Sequence, residues 1–184
     1  MKLILASSSP RRRDLLNQVN IKFELREQQT DESRVNITDP VEKVKALSEL
    51  KSYSTALYDS EVILTADTVV SKDGIIYEKP KDQAHAREMI RSLSGATHQV
   101  FTGCMLRSLH KEEFIISKTD VTFYELTDEE IESYLQHGDH LDKAGAYGIQ
   151  SHGAVLVREI HGDYNTVVGL PLAKVLRALN EWRE

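Results

Sequence analysis

The chain has 184 residues, of which 23 are Lys or Arg and 29 are Asp or Glu, so its formal net charge is -6. A chain of this length can bury roughly 70% of its unfolded surface, so we expect residues 1–184 to form a single domain. Its single cysteine, Cys104, excludes a disulfide within the chain. A reducing compartment fits this composition.

The densest positive charge lies in LASSSPRRRD, residues 5–14. An export signal does not explain it, because only residues 3–6 are apolar there, the arginines follow them, and such a signal needs roughly 7–15 apolar residues. No stretch approaches the roughly 18 apolar residues of a membrane span. Polymer binding needs a basic face, whereas the rest of this chain is acidic. We therefore expect a cytoplasmic protein that binds neither membrane nor nucleic-acid polymer.

The first predicted elements are a buried strand at residues 3–6 and a helix that begins at Ser9-Pro10. Serine is a common N-cap and proline a common first helical residue, and Leu15, Leu16 and Val19 follow at helical spacing. The junction between strand and helix can form an anion site from serine hydroxyls, backbone N–H groups and arginines. An ordinary capped helix with solvated arginines explains the same residues, so both interpretations stay open.

The pattern then alternates between strands and helices to the end of the chain. Asp39-Pro40 and Glu42 form a helix start, and Thr127 to Glu130 form a capping box. The predicted strands lie at residues 21–26, 62–66, 69–70, 75–77, 100–109, 114–124 and 154–160. Lys72-Asp73-Gly74 predicts a hairpin-like turn before 75–77, and the long strands 100–109 and 114–124 are expected to pair. The later helices are predicted at 40–58, at 82–94, from 127, and from 171 after a loop at 162–165. This mixture predicts an α/β or α+β fold around a mixed sheet.

Several charged residues fall near predicted strand ends, where α/β proteins commonly bind ligands. Asp67 ends the strand ILTAD, Glu32 follows the second strand, and Lys79 follows a short strand, while Lys51 lies in the second helix. Paired carboxylates suit Mg²⁺, which takes phosphate oxygens as further ligands, and lysine or arginine can neutralise phosphate charge. Each residue also has a plain structural explanation, as a turn aspartate or as solvated surface. The histidines form no ligand-like cluster, which disfavours zinc.

The motifs, taken together and in order, resemble the Maf family of nucleoside triphosphate pyrophosphatases, also described as septum-formation inhibitors. The resemblance covers essentially the whole chain. It rests on LASSSPRR (5–12), Asp31-Glu32, Lys51, ADTVV (66–70), EKP (78–80), LSG with TH (93–98), TG (102–103), DKAGAYGIQ (142–150) and GDYNTVVGLP (162–171).

The resemblance implies an elongated mixed β-sheet flanked by helices, in two lobes with a central cleft, similar to the inosine triphosphate pyrophosphatases. It implies hydrolysis of the α–β phosphoanhydride bond of a nucleoside triphosphate, with Mg²⁺ or Mn²⁺ as cofactor. Asp67 matches the family's proton acceptor, and Glu32 matches an acidic position linked, with Asp67, to the metal. The phosphate-binding positions fall on Ser7, Arg11, Arg12, Lys51 and Lys79, of which we also assign Lys79 to catalysis.

The resemblance extends to a subgroup. Arg11, Thr68 and Gln150 match the dTTP/UTP pyrophosphatases, whereas members that resemble 7-methyl-GTP enzymes have tryptophan in place of Arg11 and lack GIQ. Thr and Gln can donate and accept the hydrogen bonds that the edge of uracil or thymine requires. Modified pyrimidine nucleotides stay open as substrates. Ser48 and Ser52 depart from the family's usual alanines around Lys51.

The principal alternative is a regulator of septum formation that binds a nucleotide in the same cleft without physiologically important turnover. The sequence does not separate the two, because binding and catalysis use the same residues. A homodimer is compatible with the resemblance but does not follow from the composition.

Overall fold

The computed structural model describes residues 1–182, which fold around one seven-stranded mixed sheet flanked by helices. The strands are β1 (Lys2–Leu5), β2 (Glu24–Leu25), β3 (Glu61–Lys72), β4 (Ile75–Tyr77), β5 (Thr97–Arg107), β6 (Glu112–Phe123) and β7 (Val157–His161). The helices are α1 (Pro10–Gln18), α2 (Pro40–Tyr53), α3 (Gln83–Leu93), α4 (Asp128–Leu135), α5 (Tyr164–Val168) and α6 (Leu172–Glu181). The strand order is β2-β1-β3-β5-β6-β7, and β4 pairs with β3.

The long central strand β3 determines where the cleft forms. It runs parallel to β1 and antiparallel to β5. The prediction that its strand ends at Asp67 is wrong, because β3 continues to Lys72. The polar pair Asp67-Thr68 interrupts the apolar pattern, but pairing with Gly103 and Thr102 of β5 continues the ladder through it.

Two hydrophobic cores lie along this sheet. The first core contains Leu64 and Ala66 of β3 and packs α1 and α6 against the sheet. The second core contains Val70 of β3 and packs α3 and α4. Asp67 therefore lies where the two cores meet, and the expected arrangement of two lobes about a central cleft on a mixed α/β sheet is confirmed.

The hairpin and the paired long strands are also confirmed. Asp73 and Gly74 both have positive φ, 53° and 77°, as a tight hairpin between β3 and β4 requires. Strands β5 and β6 pair antiparallel over their length, and Thr127 forms the predicted capping box with Glu130 at the start of α4. Cys104 lies buried in β5, and burial raises the pKa of its thiol to about 12.

Other predicted boundaries are wrong for identifiable reasons. The strand at 21–26 shrinks to two exposed residues at the sheet edge. The helix at 40–58 ends at Tyr53, because the Ser54 and Thr55 hydroxyls both donate to the backbone oxygen of Lys51. Residues 152–156 form a 3-10 helix before β7. The loop at 162–165 becomes the start of α5, because Asp163 accepts hydrogen bonds from the backbone N–H groups of Asn165 and Thr166.

Helix α2 is held close to the sheet. Gly103 lies beneath it, and a Cβ added there would come within 2.9 Å of Val44 of α2 and of Phe114. Ser52 is buried and accepts a 2.9 Å hydrogen bond from Arg107 Nε of β5. These contacts fix the side of α2 that carries Lys51. Within residues 1–182, no helix combines the length and apolar character needed to cross a membrane.

Replacing Gly103 with alanine should lower the free energy of unfolding by about 1–3 kcal/mol, because the added methyl overpacks the contact between α2 and β5. Val44 is stiff and cannot turn away freely. Urea unfolding would measure the change, and Gln99→Ala on the same strand is the control. An unfolding free energy equal to that of the unmodified chain would show that the contact is not tight.

Candidate active site

A cleft of about 720 Å³ opens between the two cores. All nine residues predicted for the site line it, although they come from six separate stretches of the chain. They are Ser7, Arg11, Arg12, Glu32, Lys51, Asp67, Thr68, Lys79 and Gln150. The structure thus brings together the complete predicted set, while the role of each residue stays a prediction.

The SSSPRRR junction forms one end of this cleft. Strand β1 ends at Leu5, and α1 begins at Pro10 with Ser9 as its N-cap, as predicted. The Ser9 side chain makes no capping hydrogen bond; its backbone N–H instead donates to Ser7 Oγ at 3.2 Å. Residues 7–12 line the cleft. The start of α1, which is the positive end of the helix dipole, therefore lies at the cleft beside Arg11 and Arg12, and this arrangement favours an anion there.

Arg12 connects three elements beneath the cleft. Its Nε donates to the Gly169 backbone oxygen at 2.8 Å, its Nη1 to Ser7 Oγ at 3.1 Å, and its Nη2 to Thr68 Oγ1 at 3.4 Å. Burial lowers the pKa of the guanidinium from its usual value, and the charge of Asp67 opposes that change. Arginine nevertheless stays charged in proteins, so the site has a fixed positive charge at its base.

Asp67 and Lys51 form a buried ion pair at the centre of the cleft. Lys51 Nζ lies 2.6 Å from Asp67 Oδ1 and 3.1 Å from Glu32 Oε1. The side chains of Lys51 and Asp67 are only 7% and 12% exposed, whereas that of Glu32 is 49% exposed. Burial raises the pKa of Asp67, and the charge of Lys51 is the largest effect that opposes the rise. Such a carboxyl is suited to accepting a proton.

The donor set fits a hard divalent cation completed by substrate. Glu32 and Asp67 converge on the same ammonium group, so their oxygens face a common space. Magnesium is commonly bound by one or two carboxylates together with water and substrate phosphates. Within residues 1–182, no cluster of three or more His, Cys, Asp or Glu side chains could hold a metal by itself. Two carboxylates in a cleft that Arg11, Arg12 and Lys79 also line therefore fit such a cation.

The cleft also contains a cation that sequence reasoning missed. Lys43 of α2 lines the cleft, its side chain is only 13% exposed, and it forms a close ion pair with Glu78, the neighbour of Lys79. Lys43 and Lys51 are eight residues apart and so lie on the same face of α2. Helical periodicity measured from Lys51 could have identified it.

The glycine-rich stretch DKAGAYGIQ positions Gln150. Gly145 has φ of 70° and packs on Val70, and a Cβ at Gly148 would lie 2.6 Å from the Lys143 side chain. The Tyr147 hydroxyl is 2.7 Å from Nε2 of the buried His98. Burial lowers the pKa of His98 to about 4, so the ring is neutral near pH 7. His98 is thus a structural histidine, and it holds Tyr147 beside the cleft.

The fold and the site together define a protein with a two-lobed mixed sheet and a cation-lined cleft. The same fold occurs in a HAM1 protein from Coxiella burnetii, with a TM-score of 0.51, 14% sequence identity, and coverage of 98% of this chain and 99% of that one. At this identity the likeness concerns the fold alone.

The family follows from sequence comparison. The chain matches the model described as "Maf-like protein" over residues 2–182, so it belongs to the Maf family. A relative from Bacillus cytotoxicus is 45% identical over 98% of this chain and 95% of its own length. Another from Latilactobacillus sakei is 46% identical over 96% of this chain and 98% of its own length. Both relatives are named dTTP/UTP pyrophosphatase.

Replacing Lys51 with methionine should raise the pKa of Asp67 further, because the carboxylate then keeps its burial and loses its nearest positive charge. The Asp67 carboxyl should therefore ionise at a higher pH. Carbon-13 NMR titration of that carboxyl carbon would measure the shift. Lys45→Met, on the same helix but outside the cleft lining, is the matched control. An unchanged or lowered Asp67 pKa in Lys51→Met would contradict the electrostatic description.

Proposed function

We propose that this chain hydrolyses the α–β phosphoanhydride bond of dTTP and UTP, producing the nucleoside monophosphate and pyrophosphate. The observation that carries the proposal is the buried Asp67–Lys51 pair, placed between the two cores and surrounded by phosphate-suited cations. The relatives named dTTP/UTP pyrophosphatase align with nearly the whole chain, which supports the same reaction class and substrates here.

We assign phosphate binding to the cations at the base and sides of the cleft. Arg11, Arg12, Lys51 and Lys79 bring positive charge from α1, α2 and the segment after β4 to one space. Guanidinium groups bind phosphate oxygens in pairs, and ammonium groups act as point charges. Ser7 adds a hydroxyl beside the start of α1. These cations neutralise the charge that develops on the leaving pyrophosphate, so we assign Lys79 to catalysis as well as to binding.

Asp67 is the proposed proton acceptor. A water oxygen forms a bond to phosphorus, the bridging P–O bond of the anhydride breaks, and Asp67 takes the proton that the water loses. Burial raises the pKa of Asp67 and so makes it a stronger base than an exposed aspartate, while the positive charge of Lys51 opposes that rise and favours the ionised carboxylate. Burial and the charge of Lys51 thus have opposite effects on the pKa of Asp67.

Glu32 and Asp67 are the proposed ligands of a divalent cation, Mg²⁺ or Mn²⁺. When bound, such a cation neutralises phosphate charge and lowers the pKa of a water molecule. Glu32 is half exposed at the mouth of the cleft, so it can turn between Lys51 and a cation that enters with the substrate.

Base selection is assigned to Arg11, Thr68 and Gln150. Thr68 of β3 accepts a hydrogen bond from Arg12, and Gln150, the last residue of the glycine-rich stretch, also lines the cleft. Their hydroxyl, amide and guanidinium groups match the alternating donors and acceptors of uracil and thymine. Modified pyrimidines with the same hydrogen-bonding edge are further candidate substrates.

Replacing Asp67 with asparagine should lower kcat for UTP at least about 100-fold, because asparagine keeps the volume but cannot accept a proton at neutral pH. Pyrophosphate and UMP release would be measured with Mg²⁺, and circular dichroism would confirm folding. Asp73→Asn, in the exposed β3–β4 turn, is the control and should retain full activity. A folded Asp67→Asn variant with kcat near that of the unmodified chain would remove Asp67 as the base.

A further inference from the structure

A chain of hydrogen bonds beneath the cleft surface connects Thr68, Thr102 and the backbone oxygen of Thr166. Thr68 of β3 and Thr102 of β5 are directly opposite in the sheet, and their Oγ1 atoms are 2.8 Å apart. Thr102 Oγ1 lies 2.8 Å from the backbone oxygen of Thr166 in α5. Thr102 and Thr166 are both fully buried, so water cannot replace either partner.

The number of available hydrogens determines which group donates in each of these hydrogen bonds. A carbonyl oxygen can only accept, so Thr102 must donate its single hydroxyl hydrogen to Thr166. Thr102 therefore has no hydrogen for Thr68, and the Thr68 hydroxyl must be the donor in the bond between them. One lone pair of Thr68 Oγ1 also accepts from Arg12 Nη2. What remains of Thr68 for a ligand is its second lone pair, which can only accept a hydrogen bond.

The Thr166 carbonyl is itself held in position. Asp163 Oδ2 accepts hydrogen bonds from the Thr166 backbone N–H at 3.0 Å and from the Thr166 hydroxyl at 2.8 Å. These bonds cap α5 and fix the residue that receives the Thr102 hydrogen. The orientation of the Thr68 hydroxyl is therefore determined by buried backbone structure rather than by the ligand.

We propose that Thr102 is a positioning residue for base selection, which holds the Thr68 hydroxyl as a pure acceptor so that Thr68 selects bases with a ring N–H donor. Uracil and thymine have that donor at N3, whereas the N3 of cytosine is an acceptor. With cytosine bound, the N3 acceptor would face the Thr68 acceptor and neither would form a hydrogen bond. Leaving both groups unpaired in a site built for a hydrogen bond strongly weakens recognition of cytosine. The inference deepens the proposed pyrophosphatase function and rests on it.

The test compares kcat/KM for UTP with kcat/KM for CTP in three variants. Thr102→Val removes the hydroxyl with little change in volume, so the Thr68 hydrogen is released and can turn toward cytosine N3. The UTP-to-CTP ratio should fall about ten-fold, the size expected for one hydrogen bond. Thr102→Ser keeps the hydroxyl and should retain the ratio. Thr65→Val is the matched control, because the buried Thr65 hydroxyl donates to the Ser48 backbone oxygen away from the cleft lining.

A purely structural role for Thr102 would lower kcat/KM for both nucleotides together and leave their ratio unchanged. That result with Thr102→Val would overturn the inference; if this variant does not fold, Thr102→Ala provides the same comparison. An unmodified chain that hydrolyses UTP and CTP equally would also overturn it, while leaving the pyrophosphatase proposal intact. No release of pyrophosphate from UTP by the unmodified chain would instead overturn the proposed function.

Discussion

The buried ion pair between Lys51 and Asp67 is the interaction on which the rest of the structure depends. Burying two charges costs more free energy than an exposed pair, and a well-packed apolar pair of similar volume is often at least as stable. This pair lies where the two hydrophobic cores meet, so the packing of both lobes determines its geometry. Stability alone therefore does not explain an aspartate in that position, and its burial fits the proton transfer that we propose for Asp67.

The contrast between an acidic chain and its basic first loop follows from the same arrangement. The net charge of -6 is that of the whole chain, whereas the cleft gathers Arg11, Arg12, Lys43 and Lys51 from elements that meet only after folding. Two of these cations are already partnered by carboxylates, Lys51 by Asp67 and Lys43 by Glu78. A small polyanion can therefore enter by replacing or joining existing carboxylate contacts.

The sequence predicted most of the elements because their signals are local. Capping residues identified the starts of α2 and α4, and Lys72-Asp73-Gly74 identified the hairpin. The continuation of β3 through Asp67 could not be predicted in this way, since it depends on pairing with β5. The Thr68–Thr102 contact depends on the same strand register, and the short β2 reflects its edge position. The motif resemblance predicted the nine cleft residues. Lys43 was missed although helical periodicity could have identified it, whereas the hydrogen bond between Thr102 and Thr68 required the structure.

The most direct test of the account is product identification with UTP, dTTP, CTP, ATP, GTP and 7-methyl-GTP in the presence of Mg²⁺ or Mn²⁺. The assay should distinguish release of nucleoside monophosphate and pyrophosphate from release of nucleoside diphosphate and phosphate. The account predicts equal amounts of monophosphate and pyrophosphate, with UTP and dTTP strongly preferred. Phosphate as the inorganic product, a preference for 7-methyl-GTP, or no turnover with any of the six nucleotides would contradict it.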